Sequence, residues 1–279
     1  MKRIWFAVFA LLIFDNTLSA QLAMPAASPT QTIIQDFGLG KIELTYSRPG
    51  LKGRHVFGDN SELVPLGRPW RTGANSATTI HFTDSVTIGT TTLDSGTYVI
   101  YTIPRKDQWL VVLSKGTAYP GAAGFKESDD VLRYTAMVQL VNKKFETFTM
   151  QLANLKNESC ELDFRWAYTD VAVPIVTHIR ERIRTQLEAA LQTDKKPFYQ
   201  AAGFYFDYDK NYSKALEFID KATAENPTAF YMFLLKAKIQ VSMGDKAGAR
   251  ASATKTIELA KAAKNEDYVN FGRKLLKSL

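Results

Sequence analysis

Residues 97–113 read TYVIYTIPRKDQWLVVL, and this stretch decides how most of the chain folds. Tyr98, Ile100 and Thr102 alternate with Val99, Tyr101 and Ile103. A strand over 97–103 therefore carries apolar groups on both faces and belongs in the middle of a sheet. Pro104 to Asp107 turn the chain, and 109–113 returns as a second apolar strand. Upstream, KIELTYS at 41–47 places Ile42, Leu44 and Tyr46 on one face and Lys41, Glu43 and Thr45 on the other, a half-buried strand. TQTIIQ at 30–35 precedes it across Gly38-Leu39-Gly40. Further strand patterns fall at 78–83, 85–88, 131–141, 147–155, 159–168 and 171–175. Short connections without intervening helices predict an antiparallel β-sandwich or barrel-like domain over 31–176.

The texture changes at Thr177, a candidate helix N-cap. Gly and Pro become sparse, and Ile179, Ile183, Leu187 and Leu191 recur on one helical stripe. The fold class is thus α+β, with a helical domain over 177–279. From Pro197 the spacing resembles a tetratricopeptide repeat, a 34-residue helical hairpin. Tyr199, Gly203, Phe206, Ala215, Ile219, Ala222 and Pro227 match it. One period later Phe233, Ala237 and Ala249 match, while Gln240 replaces the aromatic and Thr256 the last Ala. Residues 266–279 close the array. The resemblance implies that the tail docks on the β domain or on a protein partner. Its aromatic cluster, which includes Phe198, Tyr205 and Tyr208, either forms helix–helix core or lines a groove.

Residues 1–20 pattern as a secretory signal: Lys2 and Arg3, an apolar run from 4 to 14, then Ser19 and Ala20. An uncleaved anchor is the competing reading, disfavoured by Asp15 and by a run too short for a bilayer. Cleavage near Ala20 predicts an exported protein, periplasmic or extracellular, with no transmembrane span in the mature chain. Residues 21–30 read as a linker. Net charge is +7, but 21–177 carry fifteen basic and fifteen acidic residues. The β region is therefore not an electrostatic nucleic-acid binder. Cys160, the single cysteine, alternates with Leu162, Phe164 and Trp166 and reads as a small buried hydrophobe.

Between Tyr46 and Ile80 four motifs crowd together: Tyr46-Ser47-Arg48-Pro49, Lys52-Gly53-Arg54, Leu63-Val64-Pro65-Leu66-Gly67, and Trp70-Arg71-Thr72-Gly73-Ala74-Asn75. In this order they resemble an uncharacterised bacterial family, domain of unknown function 2911. Gly96-Thr97-Tyr98 and Val171-Ala172-Val173-Pro174-Ile175 fit the same pattern, over about residues 28–176. The resemblance implies an exported setting and a β fold, and it carries no established activity.

The loop is therefore read by its chemistry. Arg48, Arg54 and Arg71 offer planar donor forks for a carboxylate or phosphate. Asn75 and Thr78 add polar groups, and Trp70 forms an apolar floor or a stacking plate. One reading is a pocket for a small anionic or sugar-like ligand. The other is structural: Arg and Asn tie down the backbone of a long loop, with Asp36, Glu43, Asp59 or Glu62 as partners for Arg71. Two histidines in the β region, without an HxH or HExxH pattern, do not predict a metal site. No Gly-rich phosphate loop or GxSxG turn is present, so no cofactor is expected. The leading expectation is a non-enzymatic binding or assembly module of the bacterial envelope. An envelope hydrolase acting on a sugar or ester bond, with Ser47 or Thr78 reached by His55 or His81, is the second. A purely structural scaffold is the third.

Overall fold

The computed structural model describes residues 24–279 except 60, 62 and 117. The signal-like segment 1–20 lies outside the described residues. Eleven strands are described: β1 (Thr30–Phe37), β2 (Gly40–Ser47), β3 (Phe57–Gly58), β4 (Val64–Pro65), β5 (Thr78–Phe82), β6 (Val86–Ile88), β7 (Thr91–Leu93), β8 (Gly96–Pro104), β9 (Gln108–Ser114), β10 (Asp130–Ala153) and β11 (Ser159–Val176). Nine form one antiparallel sheet in the order β1-β2-β5-β8-β9-β10-β11-β6-β7, and β3 pairs with β4 in a short parallel ladder.

The alternation in β8 has the consequence expected of it. Tyr98 and Ile100 enter the main core, while Val99 and Tyr101 join Ala77 and Val112 in a smaller core on the opposite face. The main core fills because the sheet folds over on itself. The first part of β10 pairs with β9 and the remainder with β11. Across the fold, Trp70 stacks on Trp166 at 5.8 Å and meets Trp109 edge-on at 6.0 Å. The layered, sandwich-like body thus shares one long strand between its two faces.

Here the structure differs from the sequence reading. The strands expected at 131–141 and 147–155 are one strand, and so are those at 159–168 and 171–175. The register shifts between Leu140 and Phe145 and again before Thr149, and Ala167 opposite Phe145 is left-handed at φ 51°. These irregularities bend the ladder around a corner without ending it. The polar run Asn142-Lys143-Lys144 marks that exposed corner and not a turn.

Six helices follow: α1 (Arg180–Ala190), α2 (Phe198–Asp207), α3 (Tyr212–Glu225), α4 (Phe230–Ser242), α5 (Lys246–Ala262) and α6 (Glu266–Lys277). Consecutive helices pack as stacked hairpins. Ala215, Ala222, Ala237 and Ala249 are buried where the helices cross, which is why the spacing demands small residues there. Gln240 is buried in place of an aromatic and is satisfied: it donates to Asp245 Oδ2 and accepts from Ser252 Oγ at 2.6 Å. Asn211, Asp245 and Asn265 cap α3, α5 and α6.

Thr177 does not cap α1. Its N–H donates to Glu158 O and its hydroxyl to Ser85 O, so the β body consumes it and the helix starts three residues later. Arg182 of α1 grips Asp84 with both terminal nitrogens, and Arg180 reaches Glu158. No helix among the described residues is long and apolar enough to cross a membrane.

Candidate functional site

The motif loop runs from β2 to β5, and its last turn is an excursion whose ends meet. Trp70 forms an antiparallel bridge to Thr102 in β8, with N–H to O distances of 2.7 and 2.9 Å. The chain then leaves the sheet and returns at Thr78, which pairs with Ile100 and donates its N–H to Arg71 O. Within the excursion Thr72 and Asn75 are left-handed, at φ 57° and 58°. For a β-branched residue this is strained backbone, held here because the Thr72 hydroxyl reaches Thr102 and its carbonyl accepts from Thr78 Oγ1 at 2.5 Å. Gly73 has φ 150°, and a Cβ there would stand 2.8 Å from Ser47 O.

The candidate residues separate into several places. Trp70 is core: it is buried, and its indole N–H donates to Gly73 O at 3.1 Å. It is neither an open floor nor a plate. Arg48 donates from Nε to Phe148 O at 3.3 Å and from Nη2 to Thr149 Oγ1 at 3.0 Å. Arg54 donates to Leu51 O and Gly50 O at 3.0 and 2.8 Å. The Asn75 amide donates to Ser28 O and Ser47 Oγ, holding the end of the linker segment against the loop. Thr78 is buried and bonded to Thr72 O.

Arg71 is the exception. It is half-buried, and no described carboxylate lies within ion-pair distance of it; Asp36, one partner weighed above, pairs with Lys41. Its Nε is buried without a hydrogen-bond partner. Burial lowers its pKa. Trp70 faces the main core, so by strand alternation Arg71 leaves the sheet on the opposite face. There the bridge sets it opposite Tyr101. Tyr101 is fully buried, its hydroxyl has no partner, and burial raises its pKa. Phe125 lies 5.3 Å from the Tyr101 ring, on a loop that covers this face. That loop is pinned by Ala77 N–H to Tyr119 O and Gly121 N–H to Asn75 O, each 3.2 Å. The surroundings of Tyr101 are apolar: Ala77, Val99, Val112 and Ala118.

Tyr101 and Phe125 escaped the sequence reading. The one local signal was a phenol in a strand otherwise apolar on both faces, and alternation alone does not say whether its hydroxyl finds a partner. Asp130 opens β10. One oxygen accepts from Arg133 at 2.8 Å, the other is buried and unpaired, and burial raises its pKa against the pull of Arg133.

The fold defines a class: a folded-over antiparallel β body carrying a tail of helical hairpins. The chain belongs to the family of proteins of unknown function DUF2911, which matches residues 28–175. The matched segment contains the YSRP, KGR and WRTGAN motifs and ends one residue before β11 does. Neither the curated proteins nor the solved structures include a match to this chain.

Proposed function

We propose that this protein is an exported, non-enzymatic binding module that takes a small anionic ligand at Arg71. One observation carries the reading: a half-buried guanidinium with no described acidic partner belongs to the backbone position opposite Tyr101, whose buried hydroxyl is unused. A charge withdrawn from water without compensation costs stability, and an anion supplied from outside would offset that cost. A carboxylate or phosphate fits the planar donor fork, with the Tyr101 hydroxyl as a neutral second donor. The strained Thr72-Gly73 backbone holds Arg71 in place before any ligand arrives.

Export rests on the pattern of residues 1–20; a mature protein beginning at Gln21, found by N-terminal sequencing of secreted material, is the expected result. The helical tail supplies a surface for a protein partner, lined by Tyr199, Tyr231, Leu234, Lys238 and Tyr268 along α2, α4 and α6. Hydrolysis draws less support. Ser47 bonds to Thr30 and Asn75, Thr78 to Thr72, and His81 to Thr97, so neither Ser47 nor Thr78 is bonded to His55 or His81.

Thermal unfolding of the full chain with small carboxylates, inorganic phosphate and sugar phosphates tests the binding role. A ligand at a hundred times its Kd adds about 2.7 kcal/mol of stability. At least one anion should stabilise the native chain and fail to stabilise Arg71→Met. Equal stabilisation of both proteins, or none by any anion, overturns the reading.

A further inference from the structure

A second polar hollow lies away from Arg71, at the corner where β10 and β11 bend. Two clefts, about 540 and 350 Å³, open on either side of residues 53–57 and share Gly53, Arg54, His55 and Phe57. The smaller one is closed on its far side by Lys144, Ala167, Tyr168 and Thr169. The described lining of both clefts includes Arg54, His55 and Lys144 and no carboxylate.

Three features make this more than a basic surface. Arg54 is fixed, because Nε and Nη2 are held by Leu51 O and Gly50 O. Its remaining N–H groups have no partner among the described residues, so an incoming anion meets a guanidinium that has already lost its rotamer freedom. The backbone of Arg54 is fixed as well: its N–H donates to Leu51 O at 2.9 Å and closes the tight turn through Lys52 and Gly53. Glu146 accepts the Lys52 N–H of this turn at 2.8 Å. Finally, Tyr168 is 51% exposed beside Lys144, an aromatic face left in water next to a cation. A flat ring beside fixed donors suits a ligand with one apolar face and charged edges.

We infer that an acidic oligosaccharide lies across residues 53–57, with one sugar ring on Tyr168 and its carboxylates on Arg54 and Lys144. Two clefts joined over one short segment suit a chain of sugars better than a single small ion. This site shares no residue with the Arg71 site and stands or falls independently of it.

Isothermal titration of the full chain with a galacturonate hexamer, and with maltohexaose as neutral control, tests the inference. Lys144 and Tyr168 are exposed and outside the core, so Lys144→Glu and Tyr168→Ser leave the fold intact. The galacturonate should bind and the neutral chain should not. Each substitution should weaken binding about tenfold, as loss of one charge-assisted or stacking contact does. Arg71→Met should bind as the native chain does. No binding of galacturonate, or full affinity retained in Tyr168→Ser, overturns the inference. So does loss confined to Arg71→Met, which would assign the anion to the other site.

Discussion

The hydroxyl of Tyr46 in β2 both accepts the N–H of Met150 at 2.9 Å and donates to the carbonyl of Met150 at 3.0 Å, 104 residues further along. Through this pair the two halves of the folded sheet are joined by a side chain in the middle of the core. Arg48, two residues on, makes the same crossing to Phe148 and Thr149. The Tyr and Arg of the YSRP motif are therefore clamps between β2 and the second half of β10.

Tyr46→Phe removes the oxygen and leaves both backbone groups of Met150 without that partner in the core. Stability should fall by about 1–3 kcal/mol, the usual cost of stranded buried polar groups. Urea unfolding of the two proteins measures it. An unchanged midpoint would show that the clamp contributes nothing.

Arg48 and Arg71 should respond in opposite senses. Arg48→Ala breaks two bonds to β10 and should cost about 1–2 kcal/mol. Arg71→Met removes a half-buried charge that has no described acidic partner, so stability should hold or rise. Parallel denaturation curves without added ligand decide between these outcomes.

Gly73→Ala should destabilise by about 2 kcal/mol or more, because φ 150° is a region that only glycine enters freely and the added methyl meets Ser47 O at 2.8 Å. Gly53→Ala, where nothing lies within 4 Å, should cost less, limited to the strain of φ 77°. Thermal unfolding of the pair separates crowding from backbone strain.

Cys160 is 2% exposed, and burial pushes its thiol pKa up to about 12. The native protein should react with a thiol reagent at neutral pH far more slowly than the denatured chain, since the thiolate is the nucleophile. Reaction at the rate of a free thiol would contradict the packed position of this residue.

The Arg182 guanidinium holds the Asp84 carboxyl below its ordinary range. A depressed folded pKa contributes stability above the unfolded value and loses it as pH falls through the folded one. Both side chains are partly exposed, so the pair is worth less than about 1 kcal/mol at neutral pH. Asp84→Asn should therefore be slightly less stable than the native chain near neutrality. The two should converge in acid below the usual carboxylate range. A gap that persists there would assign the effect to something other than this ion pair.

The periodic features of the chain were readable without coordinates. Alternation at 97–103 placed a two-faced central strand, and four-residue spacing with small residues at 215, 222, 237 and 249 placed the helical hairpins. These patterns record which side of a local element is dry, and the backbone period alone sets that. The corner in β10 and β11 was less legible, because a polar stretch looks the same whether the chain turns back or bends and continues.

What tertiary structure alone decided is the fate of the arginines. Arg48, Arg54 and Arg71 are the same residue within one loop, yet two spend donors on the protein's own oxygens and the third meets no described carboxylate. Arg48 finds its acceptors about a hundred residues away, and Arg71 is set opposite Tyr101 by a bridge to a strand thirty residues on. Hydrogen bonds act over about 3 Å of space, whatever the distance along the chain. The neighbours of a donor are therefore set by how the sheet folds over, which no local pattern in the amino-acid sequence encodes.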